Sequence, residues 1–427
     1  TWIDVAYTWS WPGSKWRDKK RLFSNFVSLA VLQGANYILP LITFPYLVRV
    51  LGVEKFGLLA FATATVTYFQ ILTDYGFNLS ATRDISIHRE NKEKVQEIFS
   101  SVMVIKFGLL ILSFILLIIL VFSFDKFRKD WEVFVLSFGM VVGQVLFPVW
   151  FFQGMEKMKY ITFLNILAKV IFTVAIFVFV KKASDYLYVP ILNSLGFIIA
   201  GILGLWIVFK DFEINFKFVS LEELKRQLKE GWYIFISTVA ISLYTISNTF
   251  ILGLFTNNAI VGYYAAAEKI VKALQGLLGP VSQTIYPYIS KLMNESKEAG
   301  IKFIRKITLL IGGFSFVLSL IIFIFADLIV KTILGSQYLN SIIILKILAF
   351  LPFIIALSNM LAVQGLIAYG KSEIIPKITL SGAILNVFFA LLLVNLFQAI
   401  GVAISVIISE VVVTSMSFYY FKKIICI

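Results

Sequence analysis

The sequence predicts an all-α polytopic membrane protein, with about twelve transmembrane helices arranged as two bundles of six. Hydrophobic residues make up 59% of the 427 residues, and the mean hydropathy is +0.91. A soluble protein of this composition would leave too much apolar surface in water. The apolar runs are long and unbroken, whereas the strands of a membrane β-barrel alternate. Since one crossing takes about 20 residues, about twelve helices fit.

Twelve apolar segments follow one another with short connections. Six form an N-terminal half, residues 22–209, and six a C-terminal half, residues 231–427. The stretch 1–21 crowds four tryptophans without a helical period, and we expect it to be an extension outside the fold. The predicted helices are 22–48, 56–80, 98–123, 132–153, 161–180, 187–209, 231–255, 261–289, 306–330, 342–369, 376–396 and 399–421.

Lysine and arginine in the connections predict the orientation. With the N-terminus inside, the cytoplasmic segments hold 25 basic residues and the outer segments hold 8. The positive-inside rule therefore places both termini in the cytoplasm. The net charge of +14 would suggest nucleic acid in a soluble chain. Here loop lysines and contact with anionic membrane lipids account for it, and we expect no nucleic-acid partner.

Residues 210–230 join the two halves. Ser220 and Glu223 have the spacing of a capping box, and Leu221, Leu224 and Leu228 share one apolar face. We expect a short helix here that lies in the cytoplasmic membrane interface.

The two halves carry related stretches. Residues 56–62 open the second helix of one half, and residues 261–267 open the second helix of the other. Because each half has an even number of helices, the halves share one orientation. A pseudo-twofold axis would then run along the membrane normal, and substrate would bind between the halves.

Five basic residues fall inside predicted helices. A charge at the centre of a membrane helix costs about 2.5–3.5 kcal/mol on insertion scales, so we expect them to face a water-filled cavity. Snorkelling to the membrane surface is the alternative, and Lys346 is assigned to it. A cavity lined by several ammonium groups would attract an anionic guest such as a phosphate. The five are Lys106, Lys169, Lys269, Lys272 and Lys346.

Two carboxylates accompany these cations. Glu268 lies four residues before Lys272, so it either forms an ion pair on the same helix face or titrates in ion or proton coupling. Asp74, near a helix end, is the second candidate for ion coupling.

Amide side chains are the candidates for sugar contacts, although the alternative is that they join helices by hydrogen bonds. They are Gln33, Asn36, Gln144, Asn248 and Gln275.

Enzyme motifs are not found in this sequence. It has no phosphate-binding glycine loop, no HExxH and no nucleophile elbow, and its single cysteine is Cys426. We therefore expect a protein that is not an enzyme and has no cofactor and no metal site.

Several stretches together resemble the polysaccharide flippases of the Wzx (O-antigen transporter) type, within the multidrug/oligosaccharidyl-lipid/polysaccharide exporter superfamily. The resemblance covers about 22–423. The stretches that carry it are 34–40, 45–52, 74–86, 150–158 and 261–272.

The resemblance implies a V-shaped pair of six-helix bundles that works by alternating access in the bacterial cytoplasmic (inner) membrane. The implied substrate is an undecaprenyl-diphosphate-linked oligosaccharide, flipped for the synthesis of a surface polysaccharide such as O-antigen, capsule or exopolysaccharide. Lys269 and Lys272 match the charged pattern of the family's eighth helix, and Arg49 and Arg83 are carried over as further cationic site residues. A polysaccharide polymerase and a chain-length regulator are the implied protein partners.

Two other functions stay open. A multidrug cation antiporter of the same superfamily should have a carboxylate-rich cavity, and the lysine excess argues against it. A membrane glycan polymerase or ligase would need a large outer loop with catalytic residues, and every predicted outer loop is short.

Overall fold

The computed structural model describes the backbone of residues 16–276 and 278–425 and, among these, the side chains of all except 16–33, 36–38, 244, 278–281, 283–284 and 424–425. Most of the described residues are helical, and none of them forms a strand. Eight helices among them are long and apolar enough to cross a membrane, or nine if the bent pair within 221–255 is one span.

Two of these eight runs are each long enough for two crossings. Leu39–His88 has 50 residues and Ser372–Lys423 has 52, so each extends about 75 Å at 1.5 Å per residue, against about 30 Å of hydrocarbon. Each contains a break in helical geometry, at Gly52 with φ 72° and at Gln398 with φ 50°. The break at Gln398 divides its run into two stretches that are each long enough for one crossing, and the break at Gly52 divides the helix Trp16–Asp74 in the same way, in agreement with the predicted polytopic fold.

The N-terminal half holds eight helices. Its first helix breaks at Gly52, and a left-handed turn at Tyr75 and Gly76 separates it from the second. The predicted helix 56–80 therefore ends earlier, at Asp74. The helices are α1 Trp16–Asp74, α2 Phe77–His88, α3 Lys92–Ser123, α4 Asp125–Arg128, α5 Trp131–Leu146, α6 Val149–Gly154, α7 Met158–Phe179 and α8 Tyr188–Asp211, with a 3-10 turn at Ala183–Leu187.

The C-terminal half continues in the same manner. The predicted helix 261–289 falls into two helices, α11 and α12. Short 3-10 or π turns occur at Val330–Leu334, Ser336–Tyr338, Ala362–Ile367 and Ser372–Ile374. The helices are α9 Leu221–Thr245, α10 Ser247–Phe255, α11 Asn258–Gly276, α12 Leu278–Glu295, α13 Lys297–Ile324, α14 Ala326–Ile329, α15 Ser341–Leu348, α16 Leu351–Leu361 and α17 Ile375–Ile425.

The segment that joins the halves differs from its prediction. Ser220 caps the helix as expected, because its hydroxyl accepts a hydrogen bond from the Glu223 N–H at 3.2 Å. The helix then continues without a break to Thr245, so no separate linker helix forms. Leu224 and Leu228 pack against the core of the N-terminal half, which gives this apolar face a protein partner.

The helix that was expected to begin after residue 21 also starts earlier. Residues 16–21 already belong to α1, so this part of the predicted extension is continuous with the first crossing. Residues 1–15 lie outside the described residues.

The two ends of the bundle are named here by their connections. The linker end carries the turn at 75–76 and the segment 212–220, and the turn end carries Gly52 and the turn at 256–257. The two halves pack closely at the turn end, where glycines meet. A Cβ on Gly57 would lie 2.6 Å from the Gly262 nitrogen, and a Cβ on Gly262 would collide with the backbone of Val53.

Gly262→Ala is therefore expected to hold the halves apart at the turn end and to destabilise the fold by about 1–3 kcal/mol, since overpacking against rigid backbone cannot relax. The thermal unfolding midpoint of the purified protein measures this. The matched control is Gly313→Ala, a helical site with nothing within 4 Å, which should leave the midpoint unchanged or raise it. Equal midpoints for Gly262→Ala and wild type would contradict the close-approach argument.

Candidate functional site

A cavity of about 570 Å³ lies between the two halves. Helices α1, α5, α7 and α8 of the N-terminal half line it, together with α9, α10 and α11 of the C-terminal half. Sites for small molecules measure about 300–1,000 Å³, so the cavity can hold a headgroup but not a long glycan. Its described polar lining residues are Thr43, Thr63, Thr67, Asn165, Lys169, Thr173, Asn193, Thr245, Thr249, Glu268, Lys269 and Lys272.

The charges of α11 form one side of this cavity. The Glu268 Oε1 lies 3.1 Å from the Lys272 Nζ, which confirms the predicted ion pair between residues four apart. The hydroxyl of Tyr264, a fully buried residue, donates to the same oxygen at 3.4 Å. The carboxylate is thus held in place, while half of the Lys272 side chain stays exposed.

Lys269 reaches across the interface between the halves. Its Nζ lies 5.2 Å from the centre of the Phe44 ring on α1. A cation–π contact of this kind contributes about 0.5–2 kcal/mol, less than a direct contact with an anion in a desolvated site. Lys269 is therefore available to an anionic guest.

Lys169 adds a cation from the N-terminal half. It lies on α7 with Asn165 and Thr173, one turn before and one turn after it, and all three line the cavity. Lys169, Lys269 and Lys272 line the same cavity, and their role in binding a substrate stays a prediction. With three lysines and one glutamate, the described lining has two positive charges in excess.

Lys106 does not line this cavity, contrary to the prediction. It is 1% exposed within the N-terminal half, and its Nζ lies 3.9 Å from the Asp74 Oδ1. Asp74, the last residue of α1, supplies the opposite charge that lets a lysine stay buried away from water. The pair is therefore an internal one, and ion coupling at Asp74 stays a prediction.

The two arginines also lie outside the cavity. Arg49 is at the turn end, where its Nε donates to the Ile333 carbonyl at 3.2 Å and a terminal nitrogen donates to the Thr332 carbonyl. Arg83 is exposed on α2 at the linker end. Lys346, expected near the membrane surface, pairs with Asp327 at 3.1 Å.

The predicted amide contacts are not part of the described lining. Gln144 donates from Nε2 to the Gln70 carbonyl at 3.4 Å, a bond between helices, and Asn248 is buried with 3% exposure. Gln275 is half-buried on α11. The side chains of Gln33 and Asn36 lie outside the described residues.

Sequence reasoning missed the threonines and two other amides of the lining. Thr63 and Thr67 lie four residues apart in α1, and Asn165 lies four residues before Lys169 in α7. A search for polar residues one turn from a membrane lysine would have found Asn165, because such residues share a helix face.

Comparison with known proteins gives consistent findings. A sequence model of the family described as "Polysaccharide biosynthesis protein" matches residues 22–293. Over 411 residues, 95% of this chain and 98% of the relative, the chain is 37% identical to the "Putative O-antigen transporter" of Escherichia coli (strain K12).

Solved structures show the same fold at low identity. The chain is similar to an inward-facing multidrug resistance MATE family transporter of the MOP superfamily, with TM-score 0.73, 14% identity and coverage of 94% of this chain and 98% of that chain. It is also similar to the lipid II flippase MurJ, with TM-score 0.69, 13% identity and coverage of 94% and 87%. The predicted fold class is therefore confirmed.

Proposed function

Because the chain belongs to the polysaccharide biosynthesis protein family, we propose that it flips a lipid-linked oligosaccharide from one membrane leaflet to the other. The family match and the kinship with an O-antigen transporter make it a membrane transporter and not an enzyme. The proposed substrate is an undecaprenyl-diphosphate-linked repeat unit, and the proposed location is the bacterial cytoplasmic membrane with both termini in the cytoplasm. A polymerase and a chain-length regulator stay predicted partners.

The observation that carries the proposal is the cationic cavity between the halves. Lys169 on one half and Lys269 and Lys272 on the other line a space of about 570 Å³. A diphosphate diester has two negative charges, and three of the four charged residues on the described lining are lysines. Ammonium groups bind phosphate as point charges, and the polyprenyl tail can stay in the bilayer.

The same lining argues against a multidrug cation antiporter. Glu268 is the single carboxylate among the described lining residues, and it is paired with Lys272. A cationic drug would meet two lysines and an already neutralised carboxylate there. Coupling of transport to an ion at Glu268 stays a prediction, since the ion pair would have to break first.

Alternating access is supported by contacts that close the turn end. Arg49 of the N-terminal half donates to two carbonyls of the segment Val330–Leu334 in the C-terminal half. In the reverse direction, the Gln337 Nε2 donates to the Arg49 carbonyl at 3.1 Å. Release at the turn end requires that these side-chain bonds to main-chain carbonyls break. The halves are also joined at the linker end, where the Gln227 Nε2 donates to the Asp84 Oδ2 at 3.2 Å and Arg226 lies 3.4 Å from the same oxygen.

Arg49→Ala is expected to shift the protein toward a state open at the turn end. The loss of charge-assisted hydrogen bonds worth about 1.5–3 kcal/mol changes the ratio of closed to open molecules about tenfold or more. Spin labels on cysteines introduced at Glu54 and Asn340, both exposed at the turn end, measure the distance between the two halves there. The labels are introduced in a Cys426→Ser background.

The matched control is Arg128→Ala. Arg128 is also at the turn end, but it donates to the Phe122 carbonyl and pairs with Asp125 within its own half. It should leave the distance distribution unchanged. If Arg49→Ala gives the same distribution as Arg128→Ala, these contacts do not hold the turn end closed.

The function itself is tested in cells that lack the gene. Lipid-linked oligosaccharide should accumulate on the cytoplasmic face, where added periplasmic glycosidase cannot reach it, and the wild-type gene should restore access. Accumulation on the outer face would instead indicate a polymerase defect and would contradict the proposal. Loss of drug resistance with normal glycan would favour the cation antiporter.

A further inference from the structure

A network of charged side chains joins α2 of the N-terminal half to α9 at the linker end. The Gln227 Nε2 donates to the Asp84 Oδ2 at 3.2 Å, and the Arg226 Nη1 lies 3.4 Å from the same oxygen. Asp84 is 6% exposed and Gln227 is fully buried, so the contacts lie inside a packed interface. Movement of α9 away from α2 therefore requires that they break.

Carboxylates outnumber cations in this network. Glu223 holds Arg226 through two hydrogen bonds, with the donors Nε at 2.9 Å and Nη2 at 2.6 Å. Lys94 of α3 is shared between Glu97, at 2.6 Å, and Glu223, at 3.8 Å. Four carboxylates thus surround two cations: Asp84, Glu97, Glu223 and Glu230 against Lys94 and Arg226.

Asp84 and Glu230 meet at the one terminal nitrogen of Arg226 that Glu223 does not occupy. This Nη1 lies 3.0 Å from the Glu230 Oε1 and 3.4 Å from the Asp84 Oδ2, and the two carboxyl groups are themselves in hydrogen-bond contact. An ionised carboxylate has no donor, so a hydrogen bond between them needs one proton. Without it two like charges repel, and with it they form a charge-assisted O–H···O bond.

Gln227 gives an independent indication that the network lacks a donor. Its Nε2 is used by Asp84 and by Glu223, both at 3.2 Å. Its Oε1 is buried and has no hydrogen-bond partner in the part of the chain that the structure describes. A buried acceptor without a donor is unfavourable, and ionised carboxylates cannot donate to it. A proton bound by one of these carboxyl groups would supply the donor.

We propose that Asp84 and Glu230 share one proton and that this proton holds α9 against α2 as a latch at the linker end. One third of the Glu230 side chain is exposed, so the site exchanges protons with the water at that end. Loss of the proton leaves two repelling carboxylates and releases the latch. Because the closed latch binds more protons than the released one, a fall in pH favours the closed latch. The proposal concerns a movement of the protein and does not depend on what the cavity binds.

The charges that act most strongly on Glu230 are those of Asp84, Arg226 and Arg83. The two arginines favour the ionised carboxyl group, and Asp84 favours the protonated one. Arg226 is already engaged by Glu223 through two bonds, and Arg83 is exposed to solvent, which weakens the effect of both.

Two other titratable groups lie near the latch. The His88 Nδ1 is 2.9 Å from the Asp84 carbonyl oxygen, and a histidine titrates in the same pH range, so it needs a control. Tyr75 of α1 packs beside Gly231, one residue after Glu230, but a phenol ordinarily titrates near about pH 10.

Distance measurements across the latch test the proposal. Spin labels are attached to cysteines introduced at Ile87 on α2 and Leu221 on α9, both exposed and uncharged, in the full-length protein with Cys426→Ser. No substrate is added. At about pH 5 the distance should be short, and at about pH 8 a second, longer distance should appear, because the shared proton is lost over this range.

Glu230→Gln isolates the effect of the shared proton. The glutamine N–H can donate to Asp84 at every pH, so the variant should keep the short distance at both values. At about pH 8 its ratio of closed to released molecules should exceed that of the wild type about tenfold or more, the effect of one charge-assisted hydrogen bond. Asp84→Asn removes the other carboxyl group and should also abolish the response to pH.

Two control variants should keep the response to pH. Glu222→Gln neutralises an exposed glutamate on the same helix, and His88→Gln removes the nearby histidine. A wild-type distance that is equal at the two pH values, a response that survives in Glu230→Gln, or a response that disappears in either control overturns the shared proton. The proposed function is tested separately by the glycan assay, which none of these outcomes affects.

Discussion

Replacement of Lys269 and Lys272 together by alanine is expected to weaken the binding of undecaprenyl diphosphate by a factor of about a hundred or more. Each lysine would supply a charge-assisted hydrogen bond worth about 1.5–3 kcal/mol, and 1.36 kcal/mol corresponds to a factor of ten. The double variant also leaves Glu268 without its partner at 3.1 Å, which places an unbalanced negative charge in the cavity. Surface glycan should disappear from cells while the variant protein remains in the membrane.

The control for this variant is Lys291→Ala. Lys291 also pairs with a glutamate four residues away, Glu295 at 3.8 Å, but it lies on α12 outside the described lining and is 73% exposed. It should leave binding and surface glycan unchanged. Normal glycan in the Lys269→Ala, Lys272→Ala variant would mean that α11 does not line the route of the substrate.

Lys106→Met is expected to have the largest effect on stability, a loss of about 3–5 kcal/mol. Lys106 is 1% exposed, and its Nζ lies 3.9 Å from the carboxylate of Asp74, which is itself 15% exposed. Removal of the cation leaves the Asp74 carboxylate as an uncompensated charge in the interior. Removing only one partner of a buried pair is more costly than replacing both. The thermal unfolding midpoint of the purified protein should fall steeply.

A second substitution separates the charge from the packing. The double variant Lys106→Met, Asp74→Asn has no uncompensated carboxylate, so it should recover much of the stability that Lys106→Met loses. Lys346→Met breaks the exposed pair with Asp327 and should change stability by about 1 kcal/mol or less. If Lys106→Met and Lys346→Met lower the midpoint equally, the Lys106–Asp74 pair does not stabilise the fold as argued.

The sequence predicts the part of the site whose residues lie on a single helix. Glu268, Lys269 and Lys272 lie within five residues, so helical periodicity alone places Glu268 beside Lys272 and the cluster near one face. The cost of a charge at membrane depth then directs that face to a water-filled space. The cavity contains these residues for that reason.

The part that the sequence does not predict depends on contacts between helices. Lys106 and Arg49 are both cations near apolar segments, yet one pairs with Asp74, 32 residues away, and the other binds carbonyls more than 280 residues away. Periodicity within a helix has no information about such partners. The same limit hides the polar lining, because Thr63 and Thr67 resemble ordinary helix threonines until the opposite half is in place.

Helix boundaries show a similar division. Long apolar runs predict the crossings, but the breaks at Gly52 and Gln398 depend on local left-handed backbone, and glutamine is not a residue that favours it. The helix that starts at Leu221 continues past the predicted linker because Leu224 and Leu228 find a surface on the other half.

The central claim is that the cavity lysines hold the diphosphate of a lipid, and cysteine protection tests it most directly. In a Cys426→Ser background, Ala168→Cys and Ala265→Cys place a thiol on the cavity wall of each half, and Ala267→Cys places one on α11 at a buried position outside the described lining. A charged, water-soluble thiol reagent should modify the first two and not the third, and undecaprenyl diphosphate, but not undecaprenol, should protect them. Modification of Ala168→Cys and Ala265→Cys that proceeds at the same rate with and without undecaprenyl diphosphate would contradict the account.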